Sequence, residues 1–155
     1  MRIVSALTAL GVAAFSLPAA AQDIVDSLNE RAFVNVLQDF GYKAELEYLD
    51  DGEPVIRSAT SGTDFSVYFY DCDRGTNCKS IQFFVAYDMP SGMTTEQVNN
   101  WNKNWRFGKV YLDDENDPFM EMDVNLAFGV TSKNLEDTVD WWEVVVKDFE
   151  EYIEW

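Results

Sequence analysis

Between Asp23 and Phe40 apolar residues fall at helical spacing. Val25, Leu28, Ala32, Val36, Leu37 and Phe40 share a stripe, and Gly41 stands where a helix commonly ends in a left-handed residue. The period then changes to two. From Lys43 to Leu49, Ala44, Leu46 and Tyr48 alternate with Lys43, Glu45 and Glu47, which predicts a half-buried strand with the first three inward. Asp50-Asp51-Gly52 is a hairpin signal, Pro54 to Thr60 the returning strand, and Ser61-Gly62-Thr63 the next turn.

Asp64 to Tyr70 and Ser80 to Tyr87 are the most strand-like runs, and the two cysteines of the chain, Cys72 and Cys78, lie between them. A disulfide across that turn sets a register. Counting outward, Tyr70 meets Ser80, Phe69 meets Ile81, Tyr68 meets Gln82, Val67 meets Phe83 and Phe65 meets Val85. One face is then wholly apolar (Phe65, Val67, Phe69, Ile81, Phe83, Val85) and the other mixed (Ser66, Tyr68, Tyr70, Ser80, Gln82, Phe84). Sulfur geometry and core pattern thus agree on one pairing. Closing so short a loop stabilises by about 2–2.5 kcal/mol in the chain-entropy account. A redox role fits less well, because the spacing is C-x5-C with no helix start behind the first thiol.

Thr94 to Gln97 spells a capping box, with Met93 and Val98 placed as a hydrophobic staple and Val98, Trp101 and Trp105 on one face of the helix that follows. Lys109 to Leu112 reads as a short strand and Asp113 to Pro118 as a polar loop. Phe119 to Leu126 is a strand with Met120, Met122, Val124 and Leu126 inward. Leu135, Val139, Trp142, Val146, Phe149 and Ile153 mark a last helix from about Leu135, capped by Ser132 or Asn134. The order is helix, four strands, helix, two strands, helix. That predicts an α+β fold, an antiparallel meander sheet with helices packed on one face.

Residues 1–21 change the picture of location. Arg2, the apolar run Ile3 to Leu17, Pro18 and then Ala19-Ala20-Ala21 form a secretory signal peptide, with cleavage near Ala21. The expected product is one domain, 22–155, periplasmic or secreted, where a disulfide persists. Its run is too short to span a membrane, so the mature chain is not expected to insert. The net charge of −17 makes nucleic acid an unsuitable partner, since phosphate binding needs clustered cations. With no histidine, Ser-His-Asp and Cys-His catalysis and imidazole metal sites are excluded.

Three segments together resemble a known family: Val67 to Phe84, with its "FYDC…C.SIQFF" pattern; Asn100-Trp101-Asn102 with Trp105-Arg106-Phe107 and Val110-Tyr111-Leu112; and Gly129-Val130-Thr131-Ser132 before a Trp-bearing helix. They look like the YbjN family of bacterial sensory transduction regulators. The resemblance covers essentially the whole of 22–155. It implies a fold similar to that of type III secretion chaperones, which bind protein segments and often dimerise, and it brings no catalytic residue. An exported, disulfide-bearing form departs from cytoplasmic members.

Candidate chemistry is sparse. Asp113, Glu115 and Asp117 are the weak candidates for a cation site, but Pro118 and Val124 stand where a calcium loop needs Gly and Glu. The last helix carries Glu136, Asp140, Glu143, Glu150 and Glu154 against Lys147, a like-charge row that costs about 0.2–0.5 kcal/mol per pair. The pairs Glu45 and Glu47, and Glu121 and Asp123, share outward strand faces, which solvation explains without catalysis. Tyr68, Tyr70 and Phe84 on the mixed sheet face, and Trp141, Val145 and Tyr152 beside the last helix's stripe, are the candidates for a partner surface. The expected function is a non-catalytic, chaperone-like protein-binding or regulatory domain. It needs no cofactor and takes a protein partner or a second copy. A cation-binding acidic loop and a carboxylate hydrolase are the alternatives.

Overall fold

A computed structural model describes residues 24–25, 30–73 and 76–155. The signal peptide expected over 1–21 and Leu28 lie outside these residues. The elements run β1 (Ile24–Val25), α1 (Glu30–Asp39), β2 (Ala44–Tyr48), β3 (Pro54–Thr60), β4 (Thr63–Tyr70), β5 (Ser80–Ala86), α2 (Thr95–Asn104), β6 (Lys109–Leu112), β7 (Pro118–Asn125), β8 (Val130–Thr131) and α3 (Ser132–Ile153). The class is α+β, three helices with a six-stranded antiparallel sheet of order β2-β3-β4-β5-β7-β6.

The β4–β5 ladder has the register that the cysteines imply: Tyr70 opposite Ser80, Phe69 opposite Ile81, Tyr68 opposite Gln82 and Val67 opposite Phe83. Cys72 and Cys78 are joined. Phe65, Val67, Phe69, Ile81, Phe83 and Val85 are all buried. Trp142 of α3 stacks on Phe83 at 5.5 Å and meets Phe65 edge-on at 5.9 Å, while Phe33 of α1 meets Phe69 edge-on at 6.0 Å. Trp101 of α2 packs on Phe149 of α3 at 4.8 Å.

The sheet departs from a plain meander at one point. After β5 the chain crosses through α2 and lays down β6 on the outside, and the tight turn after Leu112 brings β7 back between β5 and β6. The longer strand, with its run of inward methionines, thus takes the position that has two neighbours, and the four-residue strand becomes an edge.

Several details also differ from expectation. The helix expected from Asp23 begins at Glu30, because Ile24 and Val25 pair with Thr131 and Val130 in a small second ribbon. The cap of α3 is Thr131 rather than Ser132 or Asn134. Its hydroxyl accepts the Asn134 N–H at 3.1 Å, which starts the helix three residues early. Tyr48, expected inward, is 58% exposed at the end of an edge strand. The capping box at Thr94 and Gln97 is formed, and Met93 and Val98 are both buried. Trp105, expected on α2, follows it as the C-cap and stacks on Trp101 at 4.3 Å.

The acid row of α3 is partly structural. Glu143 accepts hydrogen bonds from Tyr42 Oη and Ser61 Oγ, each at 3.0 Å, and Glu150 accepts one from Thr63 Oγ1. Ser61 and Gly62 form the two-residue loop between β3 and β4, both with positive φ (50° and 96°), as a primed hairpin turn requires. The carboxylates that cost helix α3 like-charge repulsion therefore fasten it to that turn.

Candidate partner-binding face

The register fixes what lies on the side of the sheet away from the helices. It includes Glu45 and Glu47 of β2, Arg57 and the buried Val55 of β3, Ser66, Tyr68 and Tyr70 of β4, Gln82 and Phe84 of β5, Phe119, Glu121 and Asp123 of β7, and Lys109 and Tyr111 of β6. Its centre is a row of rings running diagonally across four strands. Tyr68 meets Phe84 edge-on at 5.6 Å, Phe84 meets Phe119 at 5.6 Å, and Phe119 stacks on Tyr111 at 5.5 Å with 15° between planes. Neighbouring strands lie about 5 Å apart, so one ring per strand yields a continuous ladder.

Polar groups tie the ladder's edges. Tyr70 Oη donates to Gln82 Oε1 at 3.1 Å, and Gln82 Nε2 donates to Asp123 Oδ1 at 2.8 Å. Tyr111 Oη donates to Glu121 Oε1 at 2.7 Å, while Lys109 Nζ pairs with Glu121 Oε2 at 2.5 Å. Burial, the bond to Glu121 and that residue's charge raise the Tyr111 hydroxyl to about 12. Burial and the charges of Glu121 and Asp123 likewise raise Tyr70, so both phenols stay protonated donors at neutral pH. The bond to Glu121 raises Lys109 against the smaller opposing effect of burial. Toward β2, Arg57 donates to Glu47 Oε2 at 3.1 Å and to Ser66 Oγ at 2.5 Å. A shallow hollow of about 510 Å³ lies beside these groups, between Glu47, Asp64, Ser66 and Phe84.

Of the six partner candidates read from the sequence, Tyr68, Tyr70 and Phe84 come together here. The other three lie on α3. Val145 is buried, 4% exposed, so it is core and not surface. Tyr152 is half-buried and engaged, donating to the Gln97 carbonyl at 3.0 Å and accepting from Asn100 Nδ2 at 3.2 Å. Trp141 alone of the three is well exposed, at 45%, against Phe107. Phe119 and Tyr111 complete the ladder and were missing from the candidates. The alternation of their strands turns both outward, but only the β5–β7–β6 order sets them beside Phe84.

Asp113, Glu115 and Asp117 bring carboxylate oxygens within 4.8 Å of one another. The arrangement serves the turn. Asp113 Oδ1 accepts the backbone N–H groups of Glu115 and Asp117 at 2.9 Å each, and Asp117 Oδ1 accepts that of Met89 at 2.9 Å. Among the described residues no helix is long and apolar enough to cross a membrane.

The Asn-Trp-Asn run has a structural meaning. Trp101 Nε1 donates to the Gly108 carbonyl at 2.7 Å, and Asn102 exchanges two 2.9 Å bonds with the backbone of Val110, donating from Nδ2 to its C=O and accepting its N–H at Oδ1. Both side chains hold β6 in place, and with it Tyr111. A family model matches residues 32–155, that of YbjN, described as "Putative bacterial sensory transduction regulator". No curated protein and no solved structure matches the chain.

Proposed function

Because the chain belongs to the YbjN family, we propose that it works as an exported, non-catalytic regulatory domain that holds a protein partner, in the manner of a chaperone, against the uncovered face of its sheet. The observation that carries this reading is the ring ladder Tyr68–Phe84–Phe119–Tyr111 on a side that no described helix covers. Rigid aromatic side chains with polar tips give contact area at low cost in conformational entropy, and a surrounding rim of charge is the usual anatomy of a protein interface. The Cys72–Cys78 bond and the signal-like start of the chain support an oxidising compartment. The acidic balance supports a partner that is not a nucleic acid.

Affinity capture from the native cells, comparing the unaltered chain with the double variant Tyr68→Ala/Phe119→Ala, tests the proposal. Loss of a specific partner from a variant that keeps its circular dichroism spectrum is the expected result. Retention of that partner by the double variant, with its loss on Trp141→Ala, would move the contact to α3.

A further inference from the structure

We propose that the β2 edge of the sheet is an acceptor for an added strand, and that the strand it fits is an extended segment alternating basic and apolar residues in a partner protein. The proposal rests on the protein-binding reading above but uses a different element from the ring ladder.

An antiparallel sheet leaves backbone donors and acceptors unpaired along its two outer strands, and proteins close such edges by specific devices. Here the two edges differ. On β6 the outward N–H and C=O of Val110 are both taken by the Asn102 amide, which stands in for a neighbouring strand and leaves Leu112 as the one outward-facing residue of that short edge without a bond among the described residues. On β2 the phase is set by Leu49, whose N–H bonds the Glu53 carbonyl at 2.9 Å. Glu45 and Glu47 therefore face β3, while Ala44, Leu46 and Tyr48 direct their backbone groups outward. Gln38 Nε2 caps the Ala44 carbonyl at 3.0 Å. No described residue bonds the backbone N–H or C=O of Leu46 or Tyr48. Of the three outward-facing residues of this edge, two are thus left unclosed.

The side chains select what can dock there. A strand laid along β2 places alternate residues beside Glu45 and Glu47 on the open face, and the others beside Leu46, half-buried, and Tyr48, exposed. Asp50, Asp51 and Glu53 of the adjoining turn add negative charge. Lys43 and Arg57 pair with Glu45 and Glu47 at 3.2 and 3.1 Å, but on an exposed surface such pairs are weak and easily exchanged. A second copy is disfavoured. Antiparallel pairing of β2 with itself along its full length centres on Leu46 and sets Glu45 opposite Glu47. Lysine or arginine opposite the glutamates and an apolar residue opposite Leu46 satisfy both faces, the pattern of recognition by strand addition.

The same geometry supplies the test. With the added strand antiparallel to β2, its apolar residues oppose Leu46 and Tyr48, so their N–H groups point at β2, while the N–H groups of the basic residues point away. A fluorescent, end-capped peptide of alternating lysine and valine is titrated against the purified protein, followed by anisotropy. Two derivatives, N-methylated on every valine or on every lysine, carry the same charge. Methylation on valine should weaken binding about tenfold or more, and methylation on lysine should leave it near the parent. Tyr48→Pro removes an outward N–H that the sheet does not use, and should weaken the parent peptide similarly. If that variant folds poorly, the methylated pair still decides. Equal binding of both derivatives would reduce the interaction to charge attraction, and no binding of the parent would also overturn the proposal. So would self-association of the protein that Tyr48→Pro abolishes. None of these failures touches the ring ladder, whose reading stands or falls on capture of the partner.

Discussion

Replacing Asn102 by alanine removes two hydrogen bonds to the backbone of Val110, a residue only 2% exposed. A net loss of about 1 kcal/mol per bond gives about 2 kcal/mol. Alanine is the better helix former by about 0.5 kcal/mol, so the observed loss should be about 1.5 kcal/mol. Asn99→Ala supplies the control. Asn99 lies on the same helix, is exposed and makes no side-chain hydrogen bond among the described residues, so its replacement should stabilise by about 0.5 kcal/mol. Denaturant unfolding followed by tryptophan fluorescence measures both, and the variants should differ by about 2 kcal/mol with unchanged slope. Asn102→Ala should also open the β6 edge and increase self-association. Equal stability of the two variants would refute the view that the Asn102 side chain substitutes for a missing strand.

Gly108 takes φ +74°, and a Cβ there would lie 2.4 Å from Val145 Cγ1 and 2.8 Å from Met120 Sδ, so Gly108→Ala should cost about 3 kcal/mol or prevent folding, read by thermal unfolding. The double variant Cys72→Ala/Cys78→Ala should lose about 2 kcal/mol in the same assay while keeping the sheet, since the sulfurs close a short loop. Tyr111 titrates in the folded chain near 12, above the ordinary value of about 10. Its contribution is therefore complete below pH 10 and lost as pH rises toward 12. Burial and nearby carboxylates raise Tyr42 and Tyr87 as well, so unfolding free energy should fall as pH rises from about 10 to about 12, and less steeply in Tyr111→Phe.

The β4–β5 register was legible from residues alone because two independent constraints, the sulfur bridge and the apolar face, had to agree. The strands Pro54–Thr60 and Lys109–Leu112 lie where alternation and turn residues placed them. The insertion of β7 between β5 and β6 was not legible, since alternation tells which face a residue takes but not which strand lies beside it. For that reason three of the five outer aromatics were identified and Phe119 and Tyr111 were not. Val145 illustrates the opposite error. It lies next to the apolar stripe of α3, and the approach of Gly108, in the turn that leads into β6, to its Cγ1 shows what covers it. The start of α1 was misplaced because Val25 fits a helical stripe as well as a strand, and the Ile24–Val25 ribbon depends on a partner more than a hundred residues away.

A partner seated on the uncovered sheet face must lie within reach of position 111. A photoreactive amino acid introduced at Tyr111, on that face, and in a second protein at Val144, exposed on α3, tests it directly in the native cells. A covalent adduct with another protein is expected from position 111 and none from position 144. An adduct from 144 alone would contradict it.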